Sequence, residues 1–225
     1  MSNKEIRISR VTRSKAEASE GYTRLSRWYD LLAGTSERKW REMAVRSLDV
    51  KAGETALEIG FGTGHALVAL SLASGEEGNV HGIDISEGMY RVAQERVMQA
   101  GLSQRVELQL RDAVNLPFND NFFDVVFMSF TLELFDTPEI PIVLEECWRV
   151  LRPGGRLGVA SMAKKVPEGT AVRMYEWVHA HFPKYVDCRP IYVREAIEAA
   201  DFEVMDGQEV SMWGLPLEIV IARKW

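Results

Sequence analysis

Thr55-Ala56-Leu57-Glu58-Ile59-Gly60-Phe61-Gly62-Thr63-Gly64-His65 decides the fold. Its first half is short and apolar with a single acid, Glu58, which reads as a buried strand over 55–60. Glycines directly after a first strand let the backbone turn tightly and come close to a ligand. The helix expected over 66–73 then presents free N–H groups at its start. Dinucleotide sites use G-x-G-x-x-G to seat a pyrophosphate. Here glycines fall at 60, 62 and 64, and the dinucleotide register needs one at 65, where His65 stands. An acid two residues before the first glycine also repels a pyrophosphate and suits an ammonium group. The register therefore argues against a nicotinamide-dinucleotide oxidoreductase.

Downstream, strands and helices alternate. Residues 79–85 read as a strand, and 87–100 as a helix with Met89, Val92, Ala93, Val97 and Ala100 on one face. Residues 105–110 form a third strand and 124–130 a fourth, apolar on both faces as a central parallel strand should be. A helix over 139–151 is stopped by Pro153-Gly154-Gly155 before a strand at 156–162. Such alternation implies right-handed crossovers and a covered parallel sheet. Helical stretches near 169–182 and 193–200 follow, then strands at 202–211 and 215–222 joined only by Met212-Trp213-Gly214. That connection is too short for a parallel crossover, so the pair is an antiparallel hairpin. The expected fold is α/β, a Rossmann-like seven-stranded sheet, mostly parallel with a C-terminal antiparallel hairpin and helices on both faces. Upstream, Leu25, Trp28, Tyr29 and Leu32, then Trp40, Met43, Ala44 and Leu48, recur at helical spacing over 21–48. Ala33-Gly34-Thr35-Ser36 interrupts them, with Ser36 placed to cap the second helix. Residues 1–20 read as a flexible arm and 21–225 as a single domain.

Composition narrows the function classes. The 225 residues are 46% hydrophobic and 27% charged, which excludes collagen-like, disulfide-scaffold and strongly disordered chains. The formal net charge of −6 argues against nucleic acid as a main partner. Cys147 and Cys188 lie far apart and form no C-x-x-C pair, so neither a metal site nor a redox pair is expected. Buried, inert thiols in a reducing compartment follow, and a cytoplasmic location with them. No apolar run reaches membrane-spanning length. The first twenty residues are basic up to Lys15 and lack the apolar core of a secretory signal; a solvated arm is preferred to a transit peptide.

Two further acids stand at informative places. Asp84, ending the second strand, is placed to take both hydroxyls of a ribose. Asp112, just after the third strand, is placed to accept from an exocyclic adenine amine. Each has a bland alternative: Asp84 capping the helix from Ser86, and Asp112 capping the loop 113–117. Together with Glu58 they put three carboxylates at the carboxyl ends of successive strands. The ligand they describe has a ribose, a base carrying an amine, a positive amino group and no required phosphate. S-adenosylmethionine has those parts.

The sequence resembles the class I S-adenosylmethionine-dependent methyltransferases over about residues 22–165. The segment 56–64 looks like the family's first motif, Gly82-Ile83-Asp84-Ile85-Ser86 like its ribose strand and Arg111-Asp112-Ala113 like its adenine motif. Leu151-Arg152-Pro153-Gly154-Gly155-Arg156-Leu157 looks like the turn before its fifth strand. Within the class it is most similar to the ubiquinone/menaquinone biosynthesis methyltransferases and their small-molecule relatives. That likeness rests on Trp28-Tyr29-Asp30, Leu116-Pro117-Phe118 and Phe122-Phe123-Asp124-Val125-Val126. The resemblance implies that Glu58, Gly60, Gly62 and Gly64 line the methionine part of S-adenosylmethionine. It places Asp84 on the ribose, Ile85 and Met89 against the adenine, and Asp112 and Ala113 at the adenine edge. Ser129 and Phe130 fall near the transferring methyl, and Tyr29 over the cofactor. Residues 21–48 become a cofactor and substrate cap, and 163–200 a helical insertion on the substrate side.

The implied reaction is in-line methyl displacement onto a small acceptor, quinol-like or another metabolite, releasing S-adenosylhomocysteine without a metal. A phospholipid-amine N-methyltransferase and a non-catalytic nucleoside-binding regulatory module are the alternatives. The acceptor atom stays open among C, N, O and S, and nothing in the composition selects an oligomeric state. A base is needed only if the acceptor must lose a proton, with Tyr22, Tyr29, His179 and His181 as candidates. His65 opens the first crossover helix, within reach of the cofactor's carboxylate, and His81 reads as a packed or edge residue of the second strand. Met174, Trp177, Val178 and Phe182 put apolar bulk beside the expected mouth, as core packing, a lid or a peripheral membrane contact. The fourth strand ends Met128-Ser129-Phe130-Thr131 and lacks the Asn/Asp-Pro-Pro-Tyr signature of exocyclic-amine methylation.

Overall fold

A computed structural model of the chain describes residues 14–29, 35–164 and 188–225, together with 8, 10 and 11. Two helices come first, α1 (Lys15–Tyr29) and α2 (Thr35–Ser47). Alternation then runs through β1 (Thr55–Ile59), α3 (His65–Ala73), β2 (Asn79–Asp84), α4 (Glu87–Gln99), β3 (Val106–Leu110) and β4 (Phe123–Ser129). A 3-10 turn (Leu132–Leu134), α5 (Glu139–Val150) and β5 (Leu151–Met162) follow. The chain closes with α6 (Val193–Ala199), β6 (Glu203–Met212) and β7 (Leu215–Arg223).

The strands form a seven-stranded sheet in the order β3-β2-β1-β4-β5-β7-β6. Pairing is parallel from β3 to β5 and antiparallel on both sides of β7. The hairpin turns at Trp213 and Gly214, both at positive φ. From β1 the chain steps outward to β3, then returns to the other side of β1 at β4. That reversal opens a crevice above the carboxyl ends of β1 and β4, where open sheets bind ligands.

Period-two alternation sorts the strand residues onto two faces. Leu57, Ile59, Val126, Met128 and Val159 pack with Val143, Leu144 and Ile197 from α5 and α6. Ala56, Val125, Phe127 and Ala160 pack with Leu48, Leu67, Ala93 and Val97 on the opposite side. By the same parity Glu58 and Ser129 belong to the face covered by α2 and α3. No helix among the described residues is long and apolar enough to cross a membrane.

Three boundaries differ from expectation. First, α1 begins at Lys15, so residues 15–20 of the expected arm are helical. The cause is a capping box: Glu17 Oε2 accepts from Ser14 N–H at 2.9 Å, and Ser14 Oγ from Glu17 N–H at 3.3 Å. Second, α2 starts at Thr35, one position before the serine expected to cap it. Third, Pro153-Gly154-Gly155 does not separate a helix from a strand. Leu151 already pairs with Phe123, the register shifts, and Arg156 resumes pairing with Val125, so the glycines form a bulge inside β5. The expected helix near 169–182, with Met174, Trp177, Val178, His179, His181 and Phe182, lies outside the described residues.

Candidate active site

A cavity of about 200 Å³ opens in the crevice. Its floor is the glycine turn. Gly60 and Gly62 line it at φ of 69° and 50°. A Cβ on Gly60 would stand 2.4 Å from Thr131 Cγ2, so glycine alone lets the end of β1 pass the loop after β4. Gly64 is different. Its missing Cβ makes room for Ala93, which such an atom would meet at 2.9 Å, and it is not part of the cavity wall. The third glycine packs α3 against α4.

Glu58 is only 2% exposed and faces the cavity, with Oε2 lacking a hydrogen-bond partner. Burial pushes its pKa well above the ordinary carboxylate range, with the Arg41 guanidinium of α2 acting the other way. Asp84 ties two turns together. Its Oδ2 accepts from Gly62 N–H at 2.9 Å and its Oδ1 from Ser86 N–H at 2.8 Å. Burial raises it to about 6 against those bonds. The cap of α4 is Ser86 itself, whose Oγ accepts from Met89 N–H. Asp112 divides its oxygens. Oδ1 accepts from Val114 N–H at 3.2 Å, as the loop-capping alternative has it. Oδ2 meets Lys15 Nζ at 2.6 Å, and that ammonium also meets Glu139 Oε1 at 2.6 Å.

Ile85, Met89, Ala113, Ser129 and Phe130 all line the same cavity. The Ser129 hydroxyl is buried without a hydrogen-bond partner, and Phe130 turns the chain at φ 51°. Tyr22 and His65 reach the wall as well. The Tyr29 side chain, like His179 and His181, lies outside the described residues. His81 is away from the cavity, edge-on to Phe118, Phe122 and Phe123, and burial lowers its pKa. Burial raises the Cys147 thiol far above its usual range, as an inert cysteine requires.

Sequence reading missed the roof. Arg10 forms a two-pronged pair with Asp136, whose Oδ1 also accepts from Val11 N–H at 3.0 Å. Ser19 Oγ donates to Ile85 O at 2.9 Å. Val11 thus lines the cavity beside the loop after β4, and α1 lines it beside the end of β2. Glu133 was missed too. It is fully buried behind the wall, accepts from Met162 N–H at 3.2 Å and is pushed up to about 7. Its only sequence signal was an acid inside Thr131-Leu132-Glu133-Leu134.

The groups left over define what fits. Asp84 already occupies the Gly62 N–H that a pyrophosphate would need, and its own charge faces the turn. A buried carboxylate with an unmet oxygen calls for a cationic donor. Glu58, Asp84 and Asp112 all line this one cavity.

Comparison with known proteins agrees. A sequence model described as the ubiE/COQ5 methyltransferase family matches residues 9–186. The demethylmenaquinone methyltransferase of Bacillus subtilis (strain 168) is 32% identical over 171 residues, covering 76% of this chain and 69% of that one. The Lactobacillus johnsonii protein of the same name is 34% identical over 142 residues, covering 61% of this chain but only 57% of that relative. Among solved structures, an S-adenosylmethionine-dependent methyltransferase from Aquifex aeolicus superposes with a TM-score of 0.60 at 26% identity, covering 81% of this chain and 89% of that one. The [4+2]-cyclase SpnF reaches a TM-score of 0.75 over 96% of this chain and 99% of that one, at 19% identity, which is a likeness of fold. With the sheet order, the three carboxylates and the matched family pattern in agreement, the chain belongs to the ubiE/COQ5 methyltransferase family.

Proposed function

We propose that this chain transfers the methyl group of S-adenosylmethionine to a small lipophilic acceptor of the quinol class. The observation that carries the reading is Glu58, a buried carboxylate with an unmet oxygen in a cavity whose other polar walls suit a nucleoside. When bound, S-adenosylmethionine supplies a methyl group on a positively charged sulfur. Glu58 holds its ammonium, Gly60 and Gly62 give the methionine chain room, and Asp84 accepts from the ribose hydroxyls. Ile85 and Met89 face the adenine, and Asp112 with Ala113 meets its edge.

The leaving thioether is neutral, so the reaction needs no acid. Positioning is the main contribution, and well-oriented pairs reach effective molarities of about 10⁵–10⁸ M. Lys15, bridging Asp112 and Glu139, ties the start of α1 to the mouth, which limits the entry of water. Phe130, Leu134, Phe135 and Val11 give one end of the cavity an apolar lining. A flat aromatic acceptor suits that end, and relatives named for demethylmenaquinone support the class.

The test is label transfer from methyl-labelled S-adenosylmethionine to a panel of reduced naphthoquinols, benzoquinols, phosphatidylethanolamine and small amines. Labelled quinol is the expected product. Label on the amines and none on the quinols would overturn the acceptor class.

A further inference from the structure

We infer that the tip of the β6–β7 hairpin, with Trp213 at its apex and Lys39 of α2 beside it, is a docking surface for an anionic phospholipid bilayer. The inference goes beyond the reading above and draws on it, since a lipophilic acceptor dissolves in a membrane and has to be reached there.

Residues 210–217 form the tip and carry no charge. β5 runs parallel to β4, and its last residue, Met162, pairs with Leu217. The tip therefore projects from the end of the sheet where the cavity opens. Trp213 is 76% exposed there. Its backbone is unfavourable as well as its surface. Trp213 and Gly214 sit at φ of 53° and 80°, a two-residue turn that asparagine-glycine fits best. A bulky aromatic in left-handed backbone is an outlier, and such strain collects where a segment has a role besides folding. Beneath the tip, Leu215 and Leu217 cluster with Met162 and Phe130, and Trp40 of α2 packs against them. Phe130 also lines the cavity, so one apolar cluster joins the tip to the acceptor end. Lys39 is exposed, 4.5 Å from the Trp40 ring, and has no carboxylate partner among the described residues. The acids of α2 do not cancel it: Glu37 faces the cavity, and Glu42 is held by Arg38 at 2.7 Å. An uncompensated cation beside an exposed tryptophan suits the headgroup layer of an anionic membrane. A second copy of the chain is the rival occupant, but the edge strand leading to the tip exposes Asp206 and Glu209, which oppose strand pairing.

The experiment floats the full chain with vesicles of phosphatidylglycerol and phosphatidylcholine, and with vesicles of phosphatidylcholine alone. Wild type is expected to bind the mixed vesicles more tightly. Trp213→Asn should weaken that binding about 10-fold. Asparagine suits left-handed backbone, so the melting midpoint of this variant should equal or exceed that of wild type. Lys39→Gln should weaken binding to the mixed vesicles about fivefold and leave binding to the neutral ones unchanged. Folded wild type that does not float, equal binding to both vesicle types, or Trp213→Asn floating as well as wild type would overturn the inference. So would a wild-type dimer that Trp213→Asn converts to monomer, because the tip would then face a second copy. Flotation needs no acceptor, which separates the failures. A chain that floats but methylates no quinol defeats the reading of the acceptor alone, and one that methylates a short-chain quinol in solution but does not float defeats the docking surface alone.

Discussion

Glu58→Gln is expected to weaken S-adenosylhomocysteine binding about 100-fold while stabilising the ligand-free protein above pH 7. Both effects come from one oxygen. With ligand, a carboxylate accepting from an ammonium makes a charge-assisted bond, and the neutral amide gives most of that up. Without ligand, the same carboxylate sits buried with Oε2 unmet. Its pKa is raised, so the folded chain holds its proton at a pH where the unfolded chain has released it. Stability then falls as pH rises from the unfolded value through the folded one. Asp84, raised to about 6, and Glu133, raised to about 7, act in the same direction. Ligand-free stability should therefore decline from about pH 4 to about pH 7, with Glu58 adding to the decline. Asp136 acts oppositely: Arg10 holds its carboxyl well below the usual range, so its contribution is lost only when pH falls beneath that range. Melting midpoints against pH check the sign, and the Gln variant should show a shallower fall. A variant that binds as tightly as wild type, or melts lower at pH 8, contradicts this role for Glu58.

The second large effect is at Gly60. Gly60→Ala should lower folding stability by about 2–5 kcal/mol and abolish nucleoside binding. Alanine at φ 69° is strained whatever the space, and here its Cβ also meets Thr131 Cγ2 at 2.4 Å and Oγ1 at 2.5 Å. Moving that side chain shifts the loop carrying Ser129 and Phe130. Gly62→Ala is the informative companion. Its φ is also positive, but an added methyl would find nothing within 4 Å, so only the backbone strain of about 1–2 kcal/mol applies. Denaturant midpoints that rank the two variants in the reverse order would refute the turn geometry.

What sequence could and could not reveal follows from distance along the chain. The strands, the crossovers and the final hairpin were legible because each is punctuated locally, by glycine, proline or a connection too short to cross over. The acids at 58, 84 and 112 were legible because each follows or ends a strand, and the fold turns that position into a shared crevice. Gly62 and Gly64 are the same residue two places apart. Only the packing of α4 distinguishes the one that faces the cavity from the one that seats Ala93. The roof was invisible for a different reason. Arg10 meets Asp136 across 126 positions and Lys15 meets Asp112 across 97, so no window contains both partners. The Ser14–Glu17 box was in plain sight but lay inside a basic stretch that reads as an arm.

Above all, this crevice is held to bind an adenosine thioether by its charged head, its ribose and its base. Titration of folded protein with S-adenosylhomocysteine in two buffers of different ionisation enthalpy tests that most directly. The expected result is one site per chain, a dissociation constant between about 1 and 100 μM, and proton release near pH 6 as the buried acids ionise on binding. Absence of binding, or binding that a nicotinamide dinucleotide matches in affinity, would contradict it.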